Sequence, residues 1–259
     1  MKQNTMHAFG WFVLLGLLLP LAYTVWLSFS PDSFLTPPHN EWSLRWYRAF
    51  YDDDEWLEAT LRSIGIAGAA ALLAVACAFP AAVAFQGGTF RGARGIALFL
   101  LLPACVPPIA LGMAALPLFY RTGFWGTNAG LALMHATLGL PIALLILQSS
   151  WPSNLNELMR AARGLGANRF QATCRITLPL VFPAIVASML TVFVLSLNES
   201  IVSILLTTPR TETLPAKTWP QLRFSPTPIV AVAACATLFL GSGFVALAVR
   251  IGFPSQKDR

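Results

Sequence analysis

A carboxylate stands in an otherwise apolar stretch of the sequence, in L-S-L-N-E-S-I-V-S at residues 195–203. If this region is one helix, at about 100° per residue, five of its polar side chains fall within an arc of about 100°. They are Ser196, Glu199, Ser200, Ser203 and Thr207. Such a stripe favours a water-filled path, in which Glu199 is predicted to attract a cationic solute. Asn198, on the opposite side, is predicted to bond a neighbouring helix.

A structural role for Glu199 stays open beside the functional one. If this apolar stretch lies within a membrane, its carboxylate costs several kcal/mol unless it is paired or hydrated. Hydrogen bonds from neighbouring Ser or Asn side chains, or a basic residue of a partner subunit, would satisfy it equally well. The sequence does not decide between a solute path and a structural acid.

A basic, polar segment at residues 151–179 is the second chemical signal, and it separates two long apolar stretches. Apolar residues recur in it at helical spacing, which predicts a short amphipathic helix over 155–164. They are Leu155, Leu158, Ala161, Ala162 and Leu165. Arg160 and Arg163 are then expected in solvent. The pattern fits either a docking surface for a partner or an ordinary basic loop on the inner face of a membrane.

The ends of this predicted helix carry capping residues. They are Ser153 or Asn154 at its start, and Gly164 and Gly166 at its end. A second basic helix is predicted from Asn168 to Thr177, and the next apolar span is predicted to begin at Pro179.

Catalytic and metal-binding patterns are missing from the sequence. It contains no H-E-x-x-H, no G-x-S-x-G and no Walker-type phosphate loop. His7, His39 and His135 lie far apart, without an acidic or nucleophilic partner at helical spacing. The four cysteines lack metal-ligand spacing and are interpreted as packing residues. We therefore predict no catalytic residue, metal site or cofactor in this chain, and any nucleotide chemistry must come from another one.

Composition indicates which elements must position these groups. With 56% hydrophobic and 11% charged residues, the chain cannot cover a water-facing globule and is predicted to be an integral membrane protein. A hydrocarbon core of about 30 Å needs about 20 mostly apolar residues per helix. Six stretches qualify, near 8–29, 61–86, 95–119, 128–150, 180–206 and 228–252. Because no stretch alternates in polarity, the predicted fold is all-α, a polytopic bundle that forms one domain over 1–259.

Charge predicts the orientation of this bundle. The loops on one side, including 151–179, hold ten of the seventeen Lys and Arg residues and only two acids. The other loops hold seven basic and eight acidic residues. By the positive-inside rule, both termini are expected in the cytoplasm, and the basic balance reflects topology rather than a nucleic-acid patch.

Some features of the spans and outer loops have less specific interpretations. Four prolines interrupt the third stretch, which favours a kinked helix over a flexing element. The acidic run at 52–55 is expected to cap the next helix, with contact to a binding protein as the alternative. Aromatic residues near the outer boundaries are interpreted first as interfacial anchors. They are Trp42, Trp46, Tyr47, Trp56 and Trp125.

The segment 151–179 resembles the E-A-A-x3-G-x9-I-x-L-P signature of binding-protein-dependent ABC transporter permeases. Ala161, Ala162, Gly166, Ile176, Leu178 and Pro179 fall in register with it. The resemblance implies a type I ABC importer permease-like fold with six transmembrane helices. It also implies that this segment forms the coupling helix, which sits in a cleft of a cytoplasmic ATPase subunit.

Arg160 departs from the signature, because the family usually has an acidic residue at that position. Glu157 lies one turn earlier, where its carboxylate can share the same face or pair with Arg160. Our hypothesis is that the ATPase partner has a compensating acid or uses Glu157 instead.

Four further stretches are similar to the second permease subunit of spermidine/putrescine-type uptake systems. They are S-L-R-W-Y-R-A-F (43–50), G-F-W-G-T-N (123–128), 195–203 and E-T-L-P-A-K (212–217). This resemblance implies a bacterial inner-membrane permease for a small, cationic solute, such as a polyamine, with ATP bound by partner subunits. The implied partners are cytoplasmic ABC ATPases, a second permease subunit, an external solute-binding protein and membrane lipid. The rival classes are a permease for another solute, a secondary transporter or channel, and a passive scaffold.

Overall fold

The computed structural model of the chain describes residues 2–39, 41–86 and 90–252. Within these residues the regular elements are helical and no strand forms, which confirms the all-α prediction. In chain order the helices are α1 (Lys2–Leu27), α2 (Arg45–Tyr51), α3 (Asp54–Gln86), α4 (Ala93–Leu101), α5 (Pro108–Thr122), α6 (Asn128–Ser149), α7 (Leu155–Gly164), α8 (Arg169–Ala172), α9 (Leu178–Leu197), α10 (Ile201–Leu206), α11 (Leu214–Phe224) and α12 (Ile229–Gly252). Lys257, Asp258 and Arg259, which entered the charge count, lie outside the described residues.

Five segments of the described chain are long and apolar enough to cross a membrane as continuous helices. They are Phe9–Leu27, Asp54–Gln86, Asn128–Ser149, Arg169–Leu197 and Ile229–Leu247. The second is 33 residues long, or about 50 Å at 1.5 Å per residue, so it extends well beyond a hydrocarbon core of about 30 Å.

The third predicted span is not one helix, so that prediction was wrong. The segments Ala93–Cys105 and α5 meet at an angle of 106°. Between them Val106 is extended, with φ −104° and ψ 130°, and Pro107 follows with ψ 136°. Because a proline disfavours helical backbone at the residue before it, the consecutive prolines Pro107 and Pro108 produce a break where we expected a kink.

Helices α3, α6 and α9 pack against one another and form the centre of the bundle. The face of α3 in this contact is made of small side chains that are almost fully buried. They are Ala67, Ala70, Ala71, Ala74, Ala78 and Ala82. Small residues allow helix backbones to approach closely. On α6, Gly139 meets Val192 of α9 so closely that a Cβ atom would have no room.

A small cluster at one end of the bundle joins α11 to the first turns of α3. The Leu214 amide donates to Ser63 Oγ at 2.8 Å, and Lys217 pairs with Glu55. Lys217 also lies over the ring of Trp56, which is only 3% exposed. Trp56 is therefore a core residue, and its interpretation as an interfacial anchor was wrong. As the acidic run predicted, α3 begins within it, at Asp54.

Candidate functional site

The fifth predicted span is broken at Asn198, Glu199 and Ser200. Helix α9 ends at Leu197 and α10 begins at Ile201, so the expected continuous helix over 180–206 was wrong. The polar residues consequently do not form one stripe. The break lies beside the central helix α6 and helix α5, and α5 packs on α10.

His135 of α6 connects the two halves of the broken span. It is 3% exposed, and its Nδ1 lies 2.7 Å from Ser196 Oγ in α9. Its Nε2 lies 3.2 Å from Ser203 Oγ in α10. Ser203 Oγ also donates to the Glu199 carbonyl oxygen at 2.7 Å. A single buried side chain thus positions both helices that flank the break.

The hydrogen bonds of this cluster assign the tautomer of the neutral imidazole. A hydroxyl has one hydrogen to donate, and Ser203 gives it to the Glu199 carbonyl. Ser203 Oγ must therefore accept from His135 Nε2–H. In the neutral ring Nδ1 is then the acceptor, and Ser196 donates to it. The cluster is satisfied without a net charge.

Glu199 caps helix α10 with one of its two carboxylate oxygens. Oε1 accepts from the Ile201 amide at 2.9 Å and from the Val202 amide at 3.0 Å. The side chain is half-buried, and no basic residue in the described part of the chain pairs with it. The structural interpretation thus has support in these bonds, although the partners are backbone amides rather than Ser or Asn side chains. Oε2 has no hydrogen-bond partner within the described residues.

A cavity of about 260 Å³ lies where the two broken spans face each other. Its polar lining consists of His135, Ser196 and Glu199, and Val106 and Pro108 from the break in the third span also line it. The structure therefore brings together two of the predicted path residues and adds a histidine. Ser203 lies behind His135, bonded to the ring but outside the cavity lining.

Two polar residues of the break face a different surface. Asn198 and Ser200 line an open groove of about 520 Å³, together with Trp219 of α11 and Thr237 of α12. Asn198 Nδ2 donates to the Val194 carbonyl of its own helix at 2.8 Å. The predicted hydrogen bond from Asn198 to a neighbouring helix is therefore not formed within the described chain.

The predicted amphipathic helix forms as α7, with the expected bounds. Leu155 is fully buried, and Met159 Sδ accepts from Thr177 Oγ1 at 3.4 Å. The prediction of side-chain capping was wrong, because no side chain bonds the first turn. Gly166 follows the helix with φ +94°, a left-handed conformation that suits glycine.

The second basic segment runs directly into the fifth span. Asn168 and Gln171 form a reciprocal capping box that starts α8. A π-helical turn at Thr173–Thr177 then leads into α9 without a break. The helix predicted from Asn168 to Thr177 thus forms as α8 and the π-helical turn, but it continues into α9 instead of giving way to a new span at Pro179. Pro179 lies in the first turn of α9, where its missing N–H is compatible with the helix.

The surface of α7 is basic on one flank. Arg160 and Arg163 line an open depression of the surface together with Gly164, Gly166 and Arg169. The ion pairs found in the described residues are Arg62–Glu58 and Lys217–Glu55, so Glu157 does not pair with Arg160. Of the remaining residues of the signature, Ile176 lies in the π-helical turn that joins α8 to α9, and Leu178 and Pro179 lie in the first turn of α9. Ile176 is half-buried, whereas Leu178 and Pro179 are exposed.

Residues 74–252 match the family described as the binding-protein-dependent transport system inner membrane component. The chain belongs to this family. It is a permease subunit of the ABC importer class, and its several apolar helices make it a multi-pass protein of the inner membrane.

Relatives of this permease cover most of its length. The putrescine transport system permease protein PotI of Escherichia coli is 31% identical over 238 residues, 88% of this chain and 84% of the relative. The spermidine/putrescine transport system permease protein PotC of Haemophilus influenzae is 29% identical over 246 residues, 93% of each chain.

The fold of the permease also occurs in solved structures. A chain of a bacterial alginate ABC transporter, crystallised with an alginate-bound periplasmic protein, superposes with a TM-score of 0.71. The superposition covers 97% of this permease and 93% of that chain, at 12% identity. At this identity the likeness describes the fold alone.

His135 is the site residue of the permease that sequence reasoning missed. Its two partners lie 61 and 68 residues away, so no local spacing indicates them. The available signal was a titratable side chain inside an apolar span, which is costly in a membrane and therefore calls for buried partners. The serines of the predicted stripe were the candidates for that role.

Proposed function

We propose that this permease subunit carries a small cationic solute, a polyamine such as putrescine or spermidine, delivered by an external binding protein. The path runs through the cavity lined by Ser196 and Glu199; of the other two predicted path residues, Ser203 lies behind His135 and Ser200 faces a separate groove. A second permease subunit completes the path, and cytoplasmic ATPase subunits bind ATP, so this chain itself holds no cofactor. The basic loops and both termini face the cytoplasm.

The main support for this proposal is the position of the Glu199 carboxylate. Glu199 places a carboxylate in a cavity between two broken spans, and no basic residue in the described part of the chain neutralises it. The nearby cluster of His135 and its serines is satisfied without a net charge. A cation in this cavity therefore meets one negative charge in a partly desolvated setting, where the attraction is stronger than in water.

The same geometry gives the carboxylate two distinct roles. Oε1 caps α10, which keeps the carboxylate in a fixed position. Oε2 remains for an ammonium group of the solute or for water. The names of the relatives PotI and PotC agree with a polyamine as the solute.

We propose that the segment 151–179 binds the ATPase subunit. Its contact residues are Glu157, Arg160, Ala161, Ala162, Gly166, Ile176, Leu178 and Pro179. Helix α7 presents Ala161 on its exposed side, and the left-handed turn at Gly166 leaves open space above it. A partner surface can therefore approach the backbone closely.

ATP hydrolysis by the purified complex in lipid tests the proposal. The complex contains this chain, its second permease and its ATPase subunits, and the binding protein is added with putrescine, spermidine or an uncharged sugar. We expect the polyamines to stimulate hydrolysis and the sugar to leave it unchanged. Stimulation by the sugar alone would contradict the cationic solute and leave the importer assignment intact.

A further inference from the structure

Three arginines surround a hollow between α7, α8 and the last turn of α3. Arg160, Arg163 and Arg169 line a cavity of about 460 Å³, which also contains Gln86 and Trp151. None of the three belongs to an ion pair within the described residues. Trp151 Nε1 is buried and has no hydrogen-bond partner there. The hollow is therefore lined by three positively charged side chains and by a tryptophan whose indole N–H has no acceptor among the described residues.

The two flanks of α7 differ in chemistry. At about 100° per residue, Arg160 and Arg163 lie on one flank of the buried row. Leu158 and Leu165 lie on the other flank, 39% and 90% exposed. Phe170, at the start of α8, is 77% exposed. Exposed apolar side chains on one flank and a basic hollow on the other favour a protein as the binding partner, because one protein surface can cover both flanks.

We infer that the hollow at Arg160, Arg163, Arg169 and Trp151 receives a carboxylate side chain of the cytoplasmic ATPase subunit. This inference rests on the proposed role of 151–179 as the docking segment, and it assigns the polarity of the contact. A carboxylate accepts paired hydrogen bonds from an arginine fork and a further bond from the indole N–H. The apolar neighbours Leu158 and Leu165 are covered by the same subunit.

A lipid phosphate has the same acceptor chemistry, but it fits the surroundings less well. A headgroup in the hollow would leave the side chain of Leu165 exposed on the far flank of α7. An acidic residue flanked by apolar ones on a protein surface would cover both. We therefore assign the carboxylate to the ATPase.

A zero-length cross-link tests this assignment. Residues 151–179 contain no lysine, so Arg160→Lys introduces a single amine into the segment. Glu157→Gln in the same chain removes the neighbouring acid. A carbodiimide then joins that amine to a carboxylate in contact with it. We expect an amide bond from position 160 to an Asp or Glu of the ATPase, located by mass spectrometry of the purified complex.

The matched control is Arg94→Lys, an exposed basic residue of α4 on the same predicted inner side. It is expected to give no cross-link to the ATPase. If position 160 cross-links no better than position 94 while the ATPase remains in the complex, the inference is wrong and the proposed function stands. If no ATPase co-purifies with the unmodified chain, the proposed function fails as well.

A charge reversal separates the protein carboxylate from a lipid phosphate. Arg160→Glu combined with Arg163→Glu is expected to reduce the ATPase retained by the complex about tenfold or more, because a desolvated charge pair is replaced by repulsion. The loss is expected in discs of neutral phosphatidylcholine as well as in discs that contain phosphatidylglycerol. A loss seen only with the anionic lipid would overturn the assignment.

Discussion

The substitution Glu199→Gln separates the two roles of this side chain. The amide oxygen of glutamine can still accept the hydrogen bonds from the Ile201 and Val202 amides that Oε1 accepts now. The cap of α10 is therefore retained, and the negative charge is removed. The unfolding temperature of the purified complex is expected to stay close to that of the unmodified one.

The effect on transport follows from the lost charge. An ammonium group about 4 Å from the carboxylate interacts by about 1 kcal/mol in bulk water and by about 4 kcal/mol at an effective dielectric constant of about 20. Because about 1.4 kcal/mol is a factor of ten, the interaction with a polyamine should weaken between about fivefold and about a thousandfold. The assay is the initial rate of labelled putrescine uptake by proteoliposomes with the binding protein present.

Glu199→Ala provides the comparison, because it removes the charge and the cap together. Loss of a helix cap costs about 0.5 to 2 kcal/mol, so this variant is expected to unfold at a lower temperature as well as to lose uptake. Full uptake by Glu199→Gln in an assembled complex would refute the role of the carboxylate in translocation. Equal destabilisation of both variants would refute the structural argument that glutamine preserves the cap.

Three further predictions concern residues that the structure places under constraint. Replacing His135 by Ala removes its hydrogen bonds to two serines and is expected to lower the stability of the complex by about 1 to 3 kcal/mol. The measurement is the unfolding temperature, and an unchanged temperature would contradict the role of His135 as the link between α9 and α10. Gly166 has a φ of +94° and open space around it, so Gly166→Ala is expected to cost about 1 to 2 kcal/mol through backbone strain alone. We expect this variant to reduce transport-coupled ATP hydrolysis; normal hydrolysis would show that coupling does not need this turn. Gly139→Ala places a Cβ atom against Val192 and is expected to reduce the yield of assembled complex. The control Gly241→Ala, in open space, is expected to leave the yield unchanged. Equal yields of the two variants would mean that α6 and α9 move apart without cost.

Local patterns predicted the helices whose signals are complete within a few residues. α7 has the predicted bounds because its buried row repeats at helical spacing and a glycine follows it. α6 and α12 begin and end within two residues of their predicted spans. In each case the apolar run alone determines a helix of membrane length.

The breaks in the third and fifth spans required information from outside the local sequence. Pro107 and Pro108 indicated a disturbance, but the sequence does not give its angle. Asn198, Glu199 and Ser200 include neither Pro nor Gly, so they carry only a weak signal for ending a helix. In the structure, the break is stabilised by Glu199 as a cap and by His135 as a bridge from another helix.

The polar lining of the cavity was therefore predicted in part. Ser196 and Glu199 meet at one cavity as expected, whereas Ser200 faces a separate groove. A helical projection assumes a continuous helix, and its angles lose meaning beyond Leu197, where α9 ends. Contacts between distant parts of the chain, such as His135 with Ser203, lie beyond any such projection.

A structure of the complete transporter with its solute would show directly whether the solute binds at Glu199. The complex would be trapped with spermidine, the binding protein and a non-hydrolysable ATP analogue. We predict an amine of the solute within about 4 Å of Glu199 Oε2, the distance of an ion pair. A solute seated in the groove lined by Asn198 and Trp219, with Glu199 bonded only to protein, would contradict it.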